Sequence, residues 1–395
     1  MNVCMNAQST CSDAACRLQC VNSLTEIAPE QWNALFPADH PFTQHAFLLA
    51  LEQGGSVGDQ TGWLPQYLLL WRKQRLIAAL PAYLKLHSYG EYLFDWSIAE
   101  AYQQHGLDYY PKLVLAIPFT PAAGPRVGIC AKESGSQLMA MLDAGLQQLV
   151  GRYQLSNVQC LYPEPAQQSL FTERGYWQRY DVQFQWLNRD YQGFADFLAA
   201  MTSRKRKQIR KERSRVAEQG IVIKTLHGAE LDEAFWQQFV LFYQQTYLKR
   251  SGHRGYLTAD TFRRWGQQMS DSIVVFAAYH QQQLIAASLC FRSEHTLYGR
   301  YWGCAAEYDF LHFEACYYAG IDYCIAHQLE SFDAGAQGEH KLQRGFEPVL
   351  RSGFYRFQPS PLFAAIERYC QDEQQMLKRY MDDAKQQLPY RLASS

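Results

Sequence analysis

IVVFAAYHQQQLIAASLCFRSEHTLYGRYW, residues 273–302, holds three apolar runs separated by short polar breaks. Ile273–Tyr279, Leu284–Leu289 and Thr296–Trp302 are rich in β-branched and aromatic residues, so each reads as a strand. The polar turn His280–Gln283 joins the first two as a hairpin. Three strands linked this way make an antiparallel meander. A helix around Phe313–His327 and a strand at Ser331–Ala334 follow it.

The same order occurs earlier. Gln66–Trp71, a turn at Arg72–Arg75 and a strand opening at Leu76 are followed by a third strand, Glu91–Phe94. A polar helical stretch then leads to a strand at Lys112–Ile117. Leu76-Ile77-Ala78-Ala79 reappears as Leu284-Ile285-Ala286-Ala287, offset by 284 − 76 = 208 positions, and Tyr89-Gly90 as Tyr298-Gly299. Four shared residues are weak evidence alone. The matched element order favours internal duplication over two unrelated α/β domains.

At 395 residues the chain exceeds what one core normally organises, so two domains are expected. The boundaries fall at a poorly ordered cysteine-containing tail, 1–22, a first domain, 23–187, a second, 188–372, and a helical tail, 373–395. Leu138, Leu142, Leu146 and Leu149 repeat at helical spacing and close the first half. Phe194, Phe197, Leu198 and Met201 do so at the start of the second. Ser360-Pro361 opens a charged helix expected to run to about Gln387.

With 48% hydrophobic and 19% charged residues, the chain is globular rather than disordered. A net charge of −1 steers it to no partner as a whole, so anion binding needs a local patch. No run approaches the ~18 apolar residues of a membrane span, and no signal peptide leads the chain. A cytoplasmic protein is expected. Cys4, Cys11, Cys16 and Cys20 fit no common zinc spacing, so a reduced tail is preferred to a metal site.

One local patch exists. Arg204, Lys205, Arg206, Lys207, Arg210 and Lys211 crowd a helix capped by Ser203 and ended by Gly220, with Glu212 the only carboxylate within the basic run. Solvated faces usually mix signs, so this helix is expected to contact the phosphates of a donor, as polyphosphate or RNA.

A second cluster, Asp333-Ala334-Gly335-Ala336-Gln337-Gly338-Glu339-His340-Lys341, directly follows a buried strand. Its glycines permit close backbone approach, and Asp333, Glu339 and His340 are candidate proton-transfer groups. Gln337, Lys341 and Arg344 are candidate substrate contacts. A third group, His312 and Glu314, opens the helix after the meander, where unpaired N–H groups attract anions. Glu314 is equally an ordinary first-turn acid. Arg300 and Trp302 precede it, and Arg300-x-x-Gly303-x-Ala305 fits a degenerate coenzyme A pattern. Lys112 and Arg126 are either anion ligands or surface charges. No Gly-x-Ser-x-Gly elbow, Walker loop or His-Glu-x-x-His appears.

The strings Lys85-x-His87-Ser88-x-Gly90-Glu91, Phe94-Asp95-Trp96, Tyr109-Tyr110-Pro111-Lys112, Gly299-Arg300-Tyr301-Trp302-Gly303 and Gly335-Ala336-Gln337-Gly338-Glu339-His340-Lys341 resemble the FemAB-like N-acyltransferases. That family is grouped under peptidoglycan biosynthesis or recognition, and the resemblance covers about residues 25–375. It implies an α/β (α+β, mixed-sheet) fold of two tandem GNAT-like acyltransferase domains packed side by side. It also implies transfer of an acyl or aminoacyl group from acyl-CoA or aminoacyl-tRNA to an amine of a peptide or peptidoglycan precursor. No cofactor or metal is held permanently. Unlike some Fem ligases, the chain has no long charged heptad hairpin, which leaves the two donors open. The competing expectation is a non-catalytic protein that binds tRNA or a cell-wall peptide.

Overall fold

The computed structural model describes residues 3–5, 16–336 and 338–391. It divides into two compact units, Met1–Asp181 with Arg351–Lys378, and Val182–Leu350 with Arg379–Ser395. The segment 351–378 thus belongs with the first unit, and the chain crosses between units inside two strands and once inside the helix Phe363–Gln386.

In the first unit, β1 (Val3–Met5), β2 (Cys16–Val21), β4 (Tyr67–Arg72), β5 (Arg75–Leu80) and β8 (Gly128–Ile129) form one sheet in that order. The segment 1–22 therefore contributes strands to a sheet. Leu18 and Val21 are fully buried, and the short alternation that buries them is hard to see among so many cysteines. Cys11 lies outside the described residues, as does the side chain of Cys4; Cys16 and Cys20 are not disulfide-bonded. A further set of strands runs β9 (Asn157–Leu161), β7 (Lys112–Leu115), β6 (Ala82–Lys85) and β3 (Trp63–Pro65). β7 and β9 are parallel, connected through the helix α1 (Gly135–Tyr153).

The expected strand Glu91–Phe94 is instead a loop. Gly90 and Tyr92 have φ of 81° and 67°, which no strand accommodates. Glu91 and Asp95 turn inward to Lys112, whose Nζ lies 2.7 and 2.6 Å from their carboxylates. All three side chains are wholly buried. Arg126 is also buried and donates to the carbonyls of Leu161 and Ala122 at 2.8 and 2.6 Å. Lys112 and Arg126 are therefore interior groups of the first unit.

The second unit follows the predicted order. β10 (Trp177–Leu187) enters it, followed by α2 (Ser203–Glu218), β11 (Ile221–His227), α3 (Glu233–Ser251) and α4 (Ala259–Gln268). The meander β12 (Ile273–His280), β13 (Gln283–Arg292) and β14 (Thr296–Cys304) comes next. A helical stretch, α5, combines Leu311–Phe313, a π turn Glu314–Tyr318 and Ala319–Ala326. It leads to β15 (Ser331–Asp333), the 3₁₀ turn Glu339–Arg344 and β16 (Glu347–Phe357). Strand order is β11-β12-β13-β14-β15-β10. Phe276, Leu297, Tyr318, Ile321 and Phe332 fill the core between sheet and helices.

The shared tetrapeptide occupies the same structural position in both units. Each first hairpin has a register shift that skips one residue of the second strand. Leu70 faces Ala78 and Trp71 faces Leu76, skipping Ile77; Ala278 faces Ala286 and Tyr279 faces Leu284, skipping Ile285. A β-bulge at equivalent isoleucines is a specific shared feature of the two halves.

Candidate functional site

Parallel pairing of β14 with β15 covers Thr296↔Ser331, Leu297↔Phe332 and Tyr298↔Asp333. β15 ends at Asp333, while β14 runs on to Cys304 against β13. A bulge makes Arg300 the extra residue, since Cys290 faces Gly299 and Leu289 faces Tyr301. The Arg300 guanidinium reaches Asp333, with Nη2–Oδ2 at 3.3 Å. Asp333 also accepts the Gly335 N–H at 3.0 Å, so its lone pairs are engaged. Lys341 donates to the Gly335 carbonyl at 2.6 Å; burial brings its ammonium down to about 8, against the pull of Asp333.

The first unit treats the corresponding place differently. Past the β7–β9 pairing, Gly124 forms a parallel bridge with Pro163, and its N–H bonds Tyr162 O at 3.1 Å.

A cavity of about 530 Å³ lies in the second unit where β14 ends. Gln245, Thr246, Lys249 and Arg250 of α3 form one wall, Trp302 and the loop 304–310 another, and Leu311–Phe313 the third. α5 thus points its N-terminus into a cavity, where backbone N–H groups and the helix dipole favour an anion. Lys249 is ion-paired with Glu307, and Asp309 with Arg215 at 3.3 Å. Arg250 has no acidic partner among the described residues. The sequence reading missed it, because Arg250 beside Lys249 at the end of a helix carries no local signature.

His312 lines the cavity with its ring 5.5 Å from Trp302, edge to face. Burial, then Arg250, His340, Lys341 and Arg344, drive it down to about 3. His340 lies 6.2 Å from His312, ring to ring, with Nε2 2.8 Å from the Tyr317 hydroxyl. Although exposed, it is also held below its ordinary value, by partial desolvation first and then by Arg344, Lys341 and Arg250. Glycine is needed at position 338: its φ is 118°, and a Cβ there would meet the His340 ring at 2.6 Å.

The remaining predicted residues divide clearly. Glu339 is exposed and accepts the Tyr380 hydroxyl at 2.7 Å. Gln337 lies outside the described residues. Glu314 is buried against Arg213, with Nη2–Oε1 at 2.9 Å. Arg344 is buried and paired with Glu212 at 3.0 Å, so a substrate anion would have to compete with that carboxylate. Lys205 bonds Gln343. Arg204, Lys207, Arg210 and Lys211 are exposed, Arg206 is partly so, and none of these has an acidic partner among the described residues. No helix among the described residues is long and apolar enough to cross a membrane.

A family model, FemAB-like, described as peptidoglycan biosynthesis/recognition, matches residues 23–392. None of the curated protein sequences is significantly similar to the chain. Among solved structures, FemX superposes with a TM-score of 0.51 at 10% identity, covering 87% of this chain and 98% of that one. A tandem GNAT protein from the clavulanic acid biosynthesis pathway gives 0.47 at 11% identity, over 87% and 99%. The C-terminal domain of a putative lysylphosphatidylglycerol synthetase from Agrobacterium fabrum gives 0.49 at 12%, over 89% and 97%. At such identities the FemX likeness establishes the fold, two tandem GNAT-like domains.

Proposed function

The chain belongs to the FemAB-like family, and from that premise we propose that its second unit is an N-acyltransferase moving an acyl or aminoacyl group from an activated donor to an amine. The observation that carries this reading is a cavity lined by Arg250, Trp302 and the first residues of α5, with His312 in its wall and the His340 ring 6.2 Å from that of His312.

The donor's anionic portion enters at Arg250 and the start of α5, with the acyl carbonyl extending towards His340. Pairing of Lys249 and Arg215 with the loop carboxylates leaves Arg250 as the uncompensated charge facing that end. The amine attacks the carbonyl carbon, and its proton passes to His340. Nε2 stands 2.8 Å from the Tyr317 hydroxyl; in the tautomer that donates Nε2–H to that oxygen, Nδ1 keeps the lone pair that a proton acceptor requires. Collapse of the tetrahedral adduct then expels the donor's thiolate or ribose oxygen. Magnitudes separate the two histidines. At about 3, His312 is too weak a base near neutral pH, so it serves as a hydrogen-bonding wall group. The exposed cations of α2 hold further donor phosphates, the natural role of such a face if the donor is aminoacyl-tRNA.

Thermal-shift titration with acetyl-CoA and with mixed aminoacyl-tRNA tests the reading. Stabilisation by one donor class that weakens in Arg250→Ala supports it. Stabilisation by neither, or an equal response in Arg250→Ala, removes the donor site as described.

A further inference from the structure

Glu212 interrupts the basic run of α2, yet it faces inward and is buried. Its carboxylate accepts from Arg344 Nη2 at 3.0 and 3.1 Å, from Gln208 at 2.9 Å and from the Tyr318 hydroxyl. Arg344 is buried too, and its Nη1 donates to the carbonyl of His340 at 2.9 Å. The guanidinium carbon stands 3.4 Å from the centre of the Phe313 ring, which lies 5.6 Å from the His340 ring. His340 is therefore held at two points, its backbone by Arg344 and its ring by Tyr317. Lys205 of the same helix also holds Gln343 of the same turn.

A buried pair of opposite charges rarely stabilises a fold more than apolar side chains of similar volume. What this pair supplies is direction. We propose that Glu212 and Arg344 are positioning residues that tie the turn Glu339–Arg344 to α2 and so aim the imidazole of His340. The catalytic consequence rests on His340 being the proton acceptor; the positioning itself does not. Arg344 then acts inside the protein and not on a substrate anion.

Imidazole ¹⁵N NMR of the full chain tests this, with His340 signals assigned by their loss in His340→Gln. The charged or titrating groups facing that ring are Arg344, Lys341, Arg250, His312 and Tyr317. The wild type is expected to show one His340 tautomer. Glu212→Gln/Arg344→Met replaces the pair with neutral side chains and leaves no uncompensated charge. It should give mixed tautomers and raise the His340 titration. Arg344→Lys keeps the charge but cannot serve both Glu212 and the His340 carbonyl, so it should mix tautomers with little change in titration. A single unchanged tautomer in Arg344→Lys overturns the proposal, and this variant decides alone if the double variant does not fold. Full turnover in His340→Gln would remove the proton-acceptor reading while leaving the tautomer result to stand or fall separately.

Discussion

Two imidazoles 6.2 Å apart, His312 and His340, sit under the same cations yet differ in how far they are displaced. Replacing His340 by Gln is expected to lower kcat about 10²–10⁴-fold, the usual worth of a general base, with little change in donor KM. A base must be neutral to act, and His340 is held below its ordinary value. Turnover should therefore be flat at neutral pH and fall on the acidic side, below the range of an unperturbed histidine. A profile of kcat against pH that falls instead near neutrality would contradict the assignment. Gly338→Ala should displace the ring, through both its left-handed backbone and the 2.6 Å approach, and lower kcat without changing the acidic limb. Little of this is visible in sequence. His340 stands out there as an ionisable group after a buried strand, but its partner Tyr317 and the cations around it come from separate segments.

At the scale of an element, α2 shows how one helix can carry two faces of different purpose. Ile209, Glu212 and Val216 point inward, while Arg204, Lys207, Arg210 and Lys211 remain exposed. Changing these four to Ala should weaken tRNA binding at low salt. The slope of log K against log salt should drop by about 0.7–0.9 for each phosphate that the variant no longer neutralises. A gel-shift titration at several salt concentrations reads this directly, and an unchanged slope would exclude the face from nucleic-acid binding. The helix and its cations are legible from composition and from Gly220 at its end, although the N-cap is Thr202, without a side-chain bond, and Ser203 is the first helical residue. The inward turn of Glu212 is not, because Arg344 lies 132 residues away.

At the scale of the whole molecule, each unit depends on chain from beyond its main segment. Gly353–Phe357 pairs with β9, so residues 1–187 expressed alone would lack a strand of their own sheet. That fragment should fail to give a cooperative thermal transition, measured by circular dichroism. Within the first unit, Lys112 neutralises two wholly buried carboxylates. Lys112→Met strands them and should cost about 3–5 kcal/mol in a denaturant titration. Burial pushes Asp95 upward, but Lys112 and the surrounding hydrogen bonds outweigh it and hold the carboxyl below its ordinary value. Its contribution is present above the unfolded value of 3.8 and is lost as pH falls further. Glu91 acts oppositely. Burial raises it to about 7, so stability is lost as pH climbs from 4.5 towards 7. The wild type should show both trends.

Sequence alone determined the second unit's meander, the helix and strand after it, the repeated first hairpin and the basic helix. Each is written in local periodicity or in a repeat, and neighbouring residues are enough to specify it. Tertiary structure decided the rest: that Glu91–Phe94 is a loop, that segment 351–378 serves the first unit, and that Lys112, Arg126 and Arg344 are turned inward. Those outcomes depend on which distant carboxylate or carbonyl each charge meets, because a buried charge goes where its partner is, and only the folded chain brings the partners together.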